Sequence, residues 1–194
     1  MRPTSEQLIL VDSRNRPIGE AEKHAAHAAG LLHRAFSIFL VDTRGRLLLQ
    51  RRHPQKYHSG GLWANACCGH PRPGERTLAA AQRRGSEELG VKLRLQPGFS
   101  TRYQTTFPNG LTENEIVQVY FGPTPDGIQP NPAEVVETAA LNLAELQAAV
   151  RATPADFAFW FRHYLIEHEA EIAAGVAHVQ ATSKDRRRMV TRSD

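Results

Sequence analysis

The chain contains 194 residues with a formal net charge of +4, and 41% of the residues are hydrophobic and 23% are charged. These values are typical of a soluble globular domain, and no apolar run approaches the roughly eighteen residues of a membrane span or forms the apolar segment of a signal peptide. The two cysteines are adjacent in sequence and cannot staple the chain, so we expect a cytoplasmic protein without a membrane span.

The first half of the chain predicts strands followed by a long loop. Residues 8–12 predict a short strand, and residues 20–30 have helical composition up to a glycine. Residues 35–42 and 46–52 predict two strands of a hairpin. Residues 53–75 are punctuated by glycine and proline and predict a long loop, which is a feature that often carries function.

The second half predicts one helix, more strands and then further helices. Residues 75–90 are rich in strong helix formers and end at a glycine, as helices commonly do. Further strands are predicted at residues 91–95, 99–107 and 114–122, and further helices at residues 143–152 and 154–175. This order predicts an α/β fold in which a mixed sheet is sandwiched between helices.

The positive charge is concentrated at the end of the chain. The last fourteen residues, ATSKDRRRMVTRSD, contain five Lys or Arg and two Asp, which gives +3 of the total +4. We therefore expect one domain over residues 1–180 and a basic, disordered tail over residues 181–194. An RNA-binding role for the tail is a lower-ranked alternative, and we expect no nucleic-acid partner.

The helix predicted over residues 75–90 carries charged residues at fixed spacing. From Gly69 the sequence reads G-x5-E-x7-R-R-G-S-E-E-L-G-V. It resembles the Nudix signature G-x5-E-x7-R-E-U-x-E-E-x-G-U, in which carboxylates on one helix face hold Mg²⁺ against a diphosphate. Arg84 replaces the first of these carboxylates, and a guanidinium binds phosphate rather than a cation. The pattern predicts a site that binds a diphosphate without hydrolysing it, with Glu88 retained for Mg²⁺.

Two glutamates and three histidines are candidate ligands of a second cation. Glu113 and Glu115 share one face of a predicted strand, because side chains alternate along a strand. Burying both carboxylates requires a metal or a proton, whereas an exposed strand end requires neither, and the residues alone favour the exposed strand end by about two to one. Together with His27, His33 and His70 they would suit Zn²⁺ or Mn²⁺, although each histidine alone is more typical of an ordinary surface or core position than of a ligand.

Several motifs occur in order along most of the chain, from about Leu8 to the helix that contains Trp160. They read EKHAAH, LHRAFS, GLWANACCGHPRPGE, RYQ, ENEIV and ATPADFAFW. In this combination the chain resembles the type I isopentenyl-diphosphate delta-isomerases, a family with a Nudix-like fold. The resemblance implies a flavin-independent enzyme of isoprenoid biosynthesis that interconverts isopentenyl and dimethylallyl diphosphate. The alternative is a Nudix-type diphosphate hydrolase.

The resemblance also implies roles for particular residues. The family's catalytic cysteine and second acid/base match Cys68 and Glu115, and Tyr103 matches an aromatic residue of the isoprenoid pocket that we group with the catalytic residues. The family's metal ligands match His27, His33, His70, Glu113 and Glu115. The residues around the substrate match Lys23, Arg52, Lys56, Arg84 and Trp160, with Glu88 as the ligand of substrate-bound Mg²⁺. The implied cofactors are Mg²⁺ with the diphosphate and Mn²⁺ or Zn²⁺ at the histidines and glutamates; the oligomeric state stays open.

Three positions depart from the family pattern. Five residues separate His27 from His33, where relatives typically have six. Gly85 replaces a bulky residue, so we expect looser packing behind the site. Cys67 stands where relatives carry a small apolar residue, so we expect it to serve packing.

The reaction implied by the resemblance suits these residue types. A proton is added at C4 of the substrate and another is removed from C2, through a tertiary carbocation at C3. Protonating an unactivated alkene requires a well-placed acid in a dry pocket. Cys68 and Glu115 would divide the two proton transfers, and the indole of Trp160 would stabilise the cation. A small-molecule diphosphate is therefore the expected partner.

Overall fold

The computed structural model describes residues 6–190, with side chains up to residue 184. Within this part, nine strands form one sheet: β1 (Gln7–Val11), β2 (Pro17–Glu22), β3 (His33–Val41), β4 (Leu47–Arg52), β5 (Trp63–Asn65), β6 (Cys67–Gly69), β7 (Gln96–Thr106), β8 (Thr112–Pro123) and β9 (Val135–Leu141). The helices are α1 (Lys23–Ala28), α2 (Thr77–Leu89), α3 (Leu143–Ala152), α4 (Phe159–Glu167) and α5 (Glu169–Val190). A single 3₁₀ turn, Pro154–Asp156, precedes α4.

Strand β3 is the centre of a mixed sheet. It pairs in parallel with β8 and antiparallel with β1, β4 and β6. On one side β8 continues the sheet to β7, and on the other side β4 pairs with β5 and β9. The parallel pair aligns His33 with Glu115, and the antiparallel pair aligns Ser37 with Cys68. The sheet therefore brings distant parts of the sequence to one region.

Alternating side chains of β3 pack against helices on both faces of the sheet. Ala35 and Phe39 belong to a core cluster that also contains buried residues of α3, α4 and α5. Phe36 and Ile38 point to the other face, where they pack with residues of α2. This alternation is expected of a strand buried on both faces. The predicted sheet sandwiched between helices is confirmed.

Most predicted elements are present, and the differences have local causes. Residues 91–95 form no strand: Leu93 instead packs against α2. Strand β2 replaces part of the predicted first helix, because residues 17–22 pair with β1. Strand β9 was not predicted, and β4 supplies its partner. The predicted helix over residues 154–175 is interrupted at His168, which lies between α4 and α5.

The expected loose packing at Gly85 is wrong. A methyl group built on this glycine would lie 2.2 Å from Leu93 Cδ1, so the side chain of Leu93 occupies the space that a larger residue would take. Leu93 is buried within the same core cluster as Leu89 of α2. The chain therefore fills this volume from residue 93 rather than from the helix.

The predicted boundary at residue 180 falls inside a helix. Helix α5 passes through it and ends at Val190, with Ile172 and Val179 buried against the sheet. The predicted disorder does not match the helical backbone of residues 181–190, which continues a helix anchored by those two side chains. Residues 191–194 lie outside the described residues, and the division into domain and tail stays a prediction. None of the helices within residues 6–190 is long and apolar enough to cross a membrane.

Candidate active site

A cavity of about 660 Å³ opens between the sheet and its surrounding loops. Its walls come from the start of β1, the loop between β4 and β5, strands β6, β7 and β8, and helices α2 and α4. Of the residues proposed from the sequence, the lining includes Lys23, Arg52, Lys56, Cys68, His70, Arg84, Glu88, Tyr103, Glu113, Glu115 and Trp160. His27 and His33 are fully buried behind this wall. The structure thus brings the predicted residues to one site.

Three histidines share a common orientation at one end of the cavity. The Nδ1 atoms of His27 and His33 donate to the carbonyl oxygens of Lys23 and Leu31, at 2.7 and 2.8 Å. His70 Nδ1 lies 3.6 Å from a carboxylate oxygen of Glu6. Because a carbonyl oxygen can only accept, Nδ1 of the first two rings carries the proton and leaves Nε2 with a free lone pair. These rings are therefore held in the tautomer that a metal ligand requires.

Two carboxylates of β8 face these histidines. Glu115 Oε1 lies 2.8 Å from His70 Nε2 and 3.4 Å from His33 Nε2. Glu113 Oε1 lies 3.6 Å from His27 Nε2. Both carboxylates are buried, so the exposed strand end that the residues alone favoured is wrong. Tyr103, which is aligned with Glu115 on the neighbouring strand, donates to Glu115 Oε2 at 2.7 Å and to Glu113 Oε2 at 3.3 Å.

The buried groups of this end influence one another's charge. Burial and the neighbouring charge of Glu115 raise the pKa of Glu113 well above its usual value. Burial opposes ionisation of Glu115 too, but the contacts with His33 and His70 prevail and hold its pKa well below the usual value. Burial, together with His70 and His33, lowers the pKa of His27 to about 4. At neutral pH the site therefore offers an ionised carboxylate and a neutral imidazole, the forms that bind a cation.

The residues present fit a divalent metal ion. One potential ligand atom from each of His27, His33, His70 and Glu115 lies within 4.8 Å of the others, and all four residues are buried. His33 Nε2 is buried and makes no hydrogen bond, which is costly unless another partner takes its lone pair. Imidazole and carboxylate donors suit a transition-metal ion. Glu113 stands at the edge of this group, beside His27.

The adjacent cysteines have different surroundings. Cys67 is completely buried in a core cluster with apolar side chains such as Phe36 and Leu89, as the packing interpretation predicts, and Glu88 lies near its thiol. Cys68 faces the cavity, and its Sγ donates to Asn65 Oδ1 at 3.2 Å and lies 3.2 Å from Ser37 Oγ. Burial raises the pKa of the Cys68 thiol to about 12. Cys68 is therefore a protonated thiol at neutral pH and faces the cavity interior.

The opposite end of the cavity contains basic residues that are paired with carboxylates. Arg84 Nη1 donates to Glu87 at 2.6 Å, and Arg84 Nη2 contacts Glu88 and lies 3.4 Å from Glu134. Lys56 contacts Glu134, and burial lowers the pKa of Lys56 to about 8. The Arg84–Glu88 pair is thus real, but with Glu88 only 3% exposed it is not the ordinary surface pair that the sequence left open.

Arg52 is a buried cation of a different kind. Its guanidinium carbon lies 5.1 Å from the ring centre of Trp160, and it is 8% exposed. Among the described residues no carboxylate pairs with it; Nη2 donates only to the carbonyl of His58, and Nε has no hydrogen-bond partner. A buried charge without an ionic partner is unfavourable, and a bound anion would compensate it.

Some site residues were not predicted from the sequence. Glu6 pairs with Lys23 at 2.8 Å and approaches His70, and Glu134 joins Lys56 to Arg84. His58 places its Nε2 2.7 Å from Glu113 Oε1. These residues lie in loops or at a strand end, where no periodicity marks them. Only the sequence of the glycine-rich segment, with His58 next to SGG, offered a signal that the loop is tightly constrained.

The fold and the helix signature assign the chain to a class. Residues 31–161 match the NUDIX domain family, so the chain belongs to that family. A solved structure from Deinococcus radiodurans superposes with a TM-score of 0.63 at 24% identity, covering 76% of this chain and 90% of that chain. The crystal structure of a MutT protein from Methanosarcina mazei gives a TM-score of 0.59 at 18% identity, covering 72% and 94%. These likenesses confirm the fold alone.

Curated relatives define the particular family. Isopentenyl-diphosphate Delta-isomerases of Pectobacterium atrosepticum and Burkholderia multivorans are 46% and 48% identical to this chain, over 80% and 84% of it and over 87% and 92% of their own lengths. That of Streptomyces griseus is 52% identical over 79% of each chain. The protein is therefore a member of the isopentenyl-diphosphate Delta-isomerase family, as its motifs indicate.

Proposed function

We propose that the chain interconverts isopentenyl diphosphate and dimethylallyl diphosphate. The observation that carries this proposal is one cavity that contains both a protonated thiol, Cys68, and an ionised carboxylate, Glu115. The same cavity contains Arg52, a buried cation without a carboxylate partner. Such a cavity suits a substrate that is anionic at one end and exchanges protons at the other. The names of the relatives specify the reaction.

The diphosphate would lie at the basic end of the cavity. Arg52 would receive the anion that it lacks, and Lys56 and Arg84 would exchange part of their contact with Glu134 for phosphate oxygens. Guanidinium groups bind phosphate through paired hydrogen bonds, which fixes orientation as well as position. Lys23 is paired with Glu6, which also approaches His70, so this lysine would reach the diphosphate from the side of the histidine cluster. Anchoring the diphosphate places the five-carbon chain against the other end.

Cys68 and Glu115 would carry the two proton transfers. One gives a proton to C4 of the double bond, the tertiary cation forms at C3, and the other takes a proton from C2, so the substrate keeps its composition. The thiol of Cys68 is protonated and held by Asn65 and Ser37. The carboxylate of Glu115 is ionised and held by Tyr103 and His70. These bonds keep each group in position for transfer.

Aromatic side chains would stabilise and shield the cation. Trp160 is 3% exposed and lines the cavity. The face of an indole ring attracts positive charge, by about 2 kcal/mol or more when water is excluded. Tyr103 and Tyr164 complete this wall, and Tyr164 lies 3.0 Å from Ser37 Oγ, which itself contacts Cys68. A pocket of this kind excludes the water that would capture a carbocation.

Two divalent ions belong to the proposal. Mn²⁺ or Zn²⁺ would be held by His27, His33, His70, Glu113 and Glu115, where it would tune the acidity of Glu115. Mg²⁺ would arrive with the diphosphate and be held by Glu88, once Arg84 turns to phosphate. Both cysteines are free thiols, which supports a reducing, cytoplasmic setting.

The competing function is hydrolysis of a diphosphate. Position 84, a glutamate in the hydrolase signature, is an arginine whose guanidinium contacts Glu88. A helix face that holds one cationic side chain in place of a carboxylate has less capacity for the metal ions that activate water. This observation favours the isomerase over the hydrolase.

The test is conversion of isopentenyl diphosphate in deuterated water with Mg²⁺ and Mn²⁺, without flavin, followed by ¹H and ³¹P NMR. Deuterated dimethylallyl diphosphate without released phosphate is expected. Release of phosphate without isomerisation by a folded, metal-loaded protein would replace the proposal with the hydrolase.

A further inference from the structure

His58 occupies a central place in the site that its sequence position does not suggest. It lies in the loop between β4 and β5, is 9% exposed and lines the cavity. The loop is tight: a methyl group built on Gly60 would lie 2.3 Å from the carbonyl oxygen of Pro54, so glycine is required there. Within this loop the imidazole of His58 faces the cavity.

Aromatic contacts on several sides hold the ring of His58. It stacks on Phe107 with ring centres 4.8 Å apart and planes inclined by 10°. It meets Tyr57 and Trp160 in edge-to-face contacts, at 4.4 and 5.7 Å. Such pairs favour one ring orientation over others. The direction of Nε2 is therefore set before any ligand binds.

Nε2 of His58 points at Glu113. The Nε2–Oε1 distance is 2.7 Å, and the same Oε1 atom lies 3.6 Å from His27 Nε2. The second oxygen of Glu113 accepts from Tyr103 at 3.3 Å. The Nδ1 atom of His58 lies 3.4 Å from Ser59 Oγ. The carboxylate of Glu113 is thus fixed between two side chains at the margin of the histidine cluster.

We propose that His58 is a positioning residue for Glu113, whose Nε2–H holds the carboxylate beside the His27–His33–His70 cluster so that it completes the metal site. Glu113 needs such a holder because it lies outside the compact group formed by Glu115 and the three histidines. A buried carboxylate with fewer donors would turn toward other partners or take up a proton. Substitution of a residue that orients a metal ligand typically lowers metal affinity by about 10- to 100-fold.

The inference rests on the proposed metal site, and its test measures metal binding rather than turnover. Mn²⁺ affinity is determined by EPR titration of the full chain without substrate, with near-UV circular dichroism as the check of folding. His58→Phe keeps the stacking on Phe107 and removes the N–H donor; we expect Mn²⁺ affinity to fall at least about tenfold. His58→Gln keeps an N–H donor, and we expect affinity within about threefold of wild type.

Two further variants make the test specific. His53→Phe makes the same exchange in the same loop at a side chain outside the cavity lining, and Mn²⁺ affinity should not change. In a Glu113→Gln background, His58→Phe should not lower Mn²⁺ affinity further, because Glu113, the residue that His58 orients, is already replaced.

Either of two results would overturn the inference: wild-type affinity in His58→Phe, or an equal loss in His58→Phe with and without Glu113→Gln, which would make His58 a ligand in its own right. If the wild-type protein converts substrate and His58→Phe binds Mn²⁺ with wild-type affinity, this inference is rejected and the proposed function stands. A wild-type protein that binds no Mn²⁺ would reject the proposed metal site with it.

Discussion

The two ends of the cavity differ in how their charged side chains are buried and paired. At one end, His27, His33, His70, Glu113 and Glu115 are all at most 6% exposed, and one potential ligand atom from each of them except Glu113 lies within 4.8 Å of the others. At the other end, the basic side chains of Lys56 and Arg84 are more accessible and are already paired with glutamates. The first end is suited to a resident cation. The second is suited to an anion that arrives and rearranges existing ion pairs.

This difference explains how a Nudix helix can serve without hydrolysis. Helix α2 still presents Glu88 to the cavity, but Arg84 lies against it, so the helix face is neutralised until a phosphate competes for the guanidinium. In the proposed function, residues from the sheet, Cys68 on β6 and Glu115 on β8, would carry the proton-transfer chemistry. Binding and chemistry are thus separated along one cavity, and the two ends can be perturbed separately.

The largest effect is expected at the proton-transfer groups. Cys68→Ala and Glu115→Gln should each lower kcat by at least about 10³-fold, because each removes an acid/base group. Only Glu115→Gln should also weaken Mn²⁺ binding, since Cys68 is not among the clustered ligands. Steady-state kinetics and Mn²⁺ titration separate the two effects. Near-wild-type turnover in either variant would refute its catalytic role.

A smaller effect is expected at the diphosphate end. Arg84→Gln should raise KM about 10- to 100-fold, the size of a lost hydrogen bond to a charged group. It should leave Mn²⁺ affinity unchanged, because Arg84 contacts Glu87, Glu88 and Glu134 rather than the histidine cluster. Comparing KM with Mn²⁺ affinity checks this. Loss of Mn²⁺ binding in this variant would contradict the separation of the ends.

The pH dependence of KM should come from Lys56. Burial lowers its pKa to about 8 in the free protein, so Lys56 is charged below pH 8 and becomes neutral above it. Binding of a diphosphate should therefore weaken as pH rises from 7 to 9, by about three- to tenfold in KM. Lys56→Arg keeps its charge throughout this pH range and should remove the rise of KM between pH 7 and pH 9. An unchanged rise of KM with pH in the arginine variant would assign the effect to another group.

The smallest effect is expected at the other cysteine. Cys67→Ala should retain kcat and lower the free energy of unfolding by about 1 kcal/mol, because Cys67 is fully buried in a hydrophobic core cluster. Chemical denaturation and kinetics of the same sample measure both quantities. Paired with Cys68→Ala, this variant separates packing from chemistry at neighbouring positions; a large loss of kcat would show that Cys67 shares the chemistry.

Much of the fold follows from local signals. Apolar residues predict β3 and β4, and the run of strong formers ending at Gly90, with φ of 71°, predicts α2. Strand β9 was missed because its half-exposed side chains become a strand only through pairing with β4. Residues 91–95 alternate like a strand but find no partner in the sheet. Pairing is a tertiary property, so single-sequence patterns do not decide it.

The site residues also differ in whether the sequence alone could indicate them. The spacing of the helix signature indicates Glu88, and the resemblance of the motifs to a known family implies Cys68 and the candidate ligands. Glu6, His58 and Glu134 are single residues whose roles depend on contacts with side chains far away in sequence. Burial of Glu113 and Glu115 likewise depends on neighbouring strands and loops. The candidate ligands could therefore be proposed from the sequence, whereas the residues that contact them through the fold could not.

The separation of the two ends is tested most directly by counting bound Mn²⁺ in Cys68→Ala, which should bind substrate without converting it. Equilibrium dialysis with and without isopentenyl diphosphate gives the number of ions per chain. We predict one ion without the diphosphate and a second only with it, and Glu88→Gln added to this variant should abolish the second alone. Two ions bound without the diphosphate, or loss of both ions through Glu88→Gln, would contradict a resident cation at one end and an arriving anion at the other.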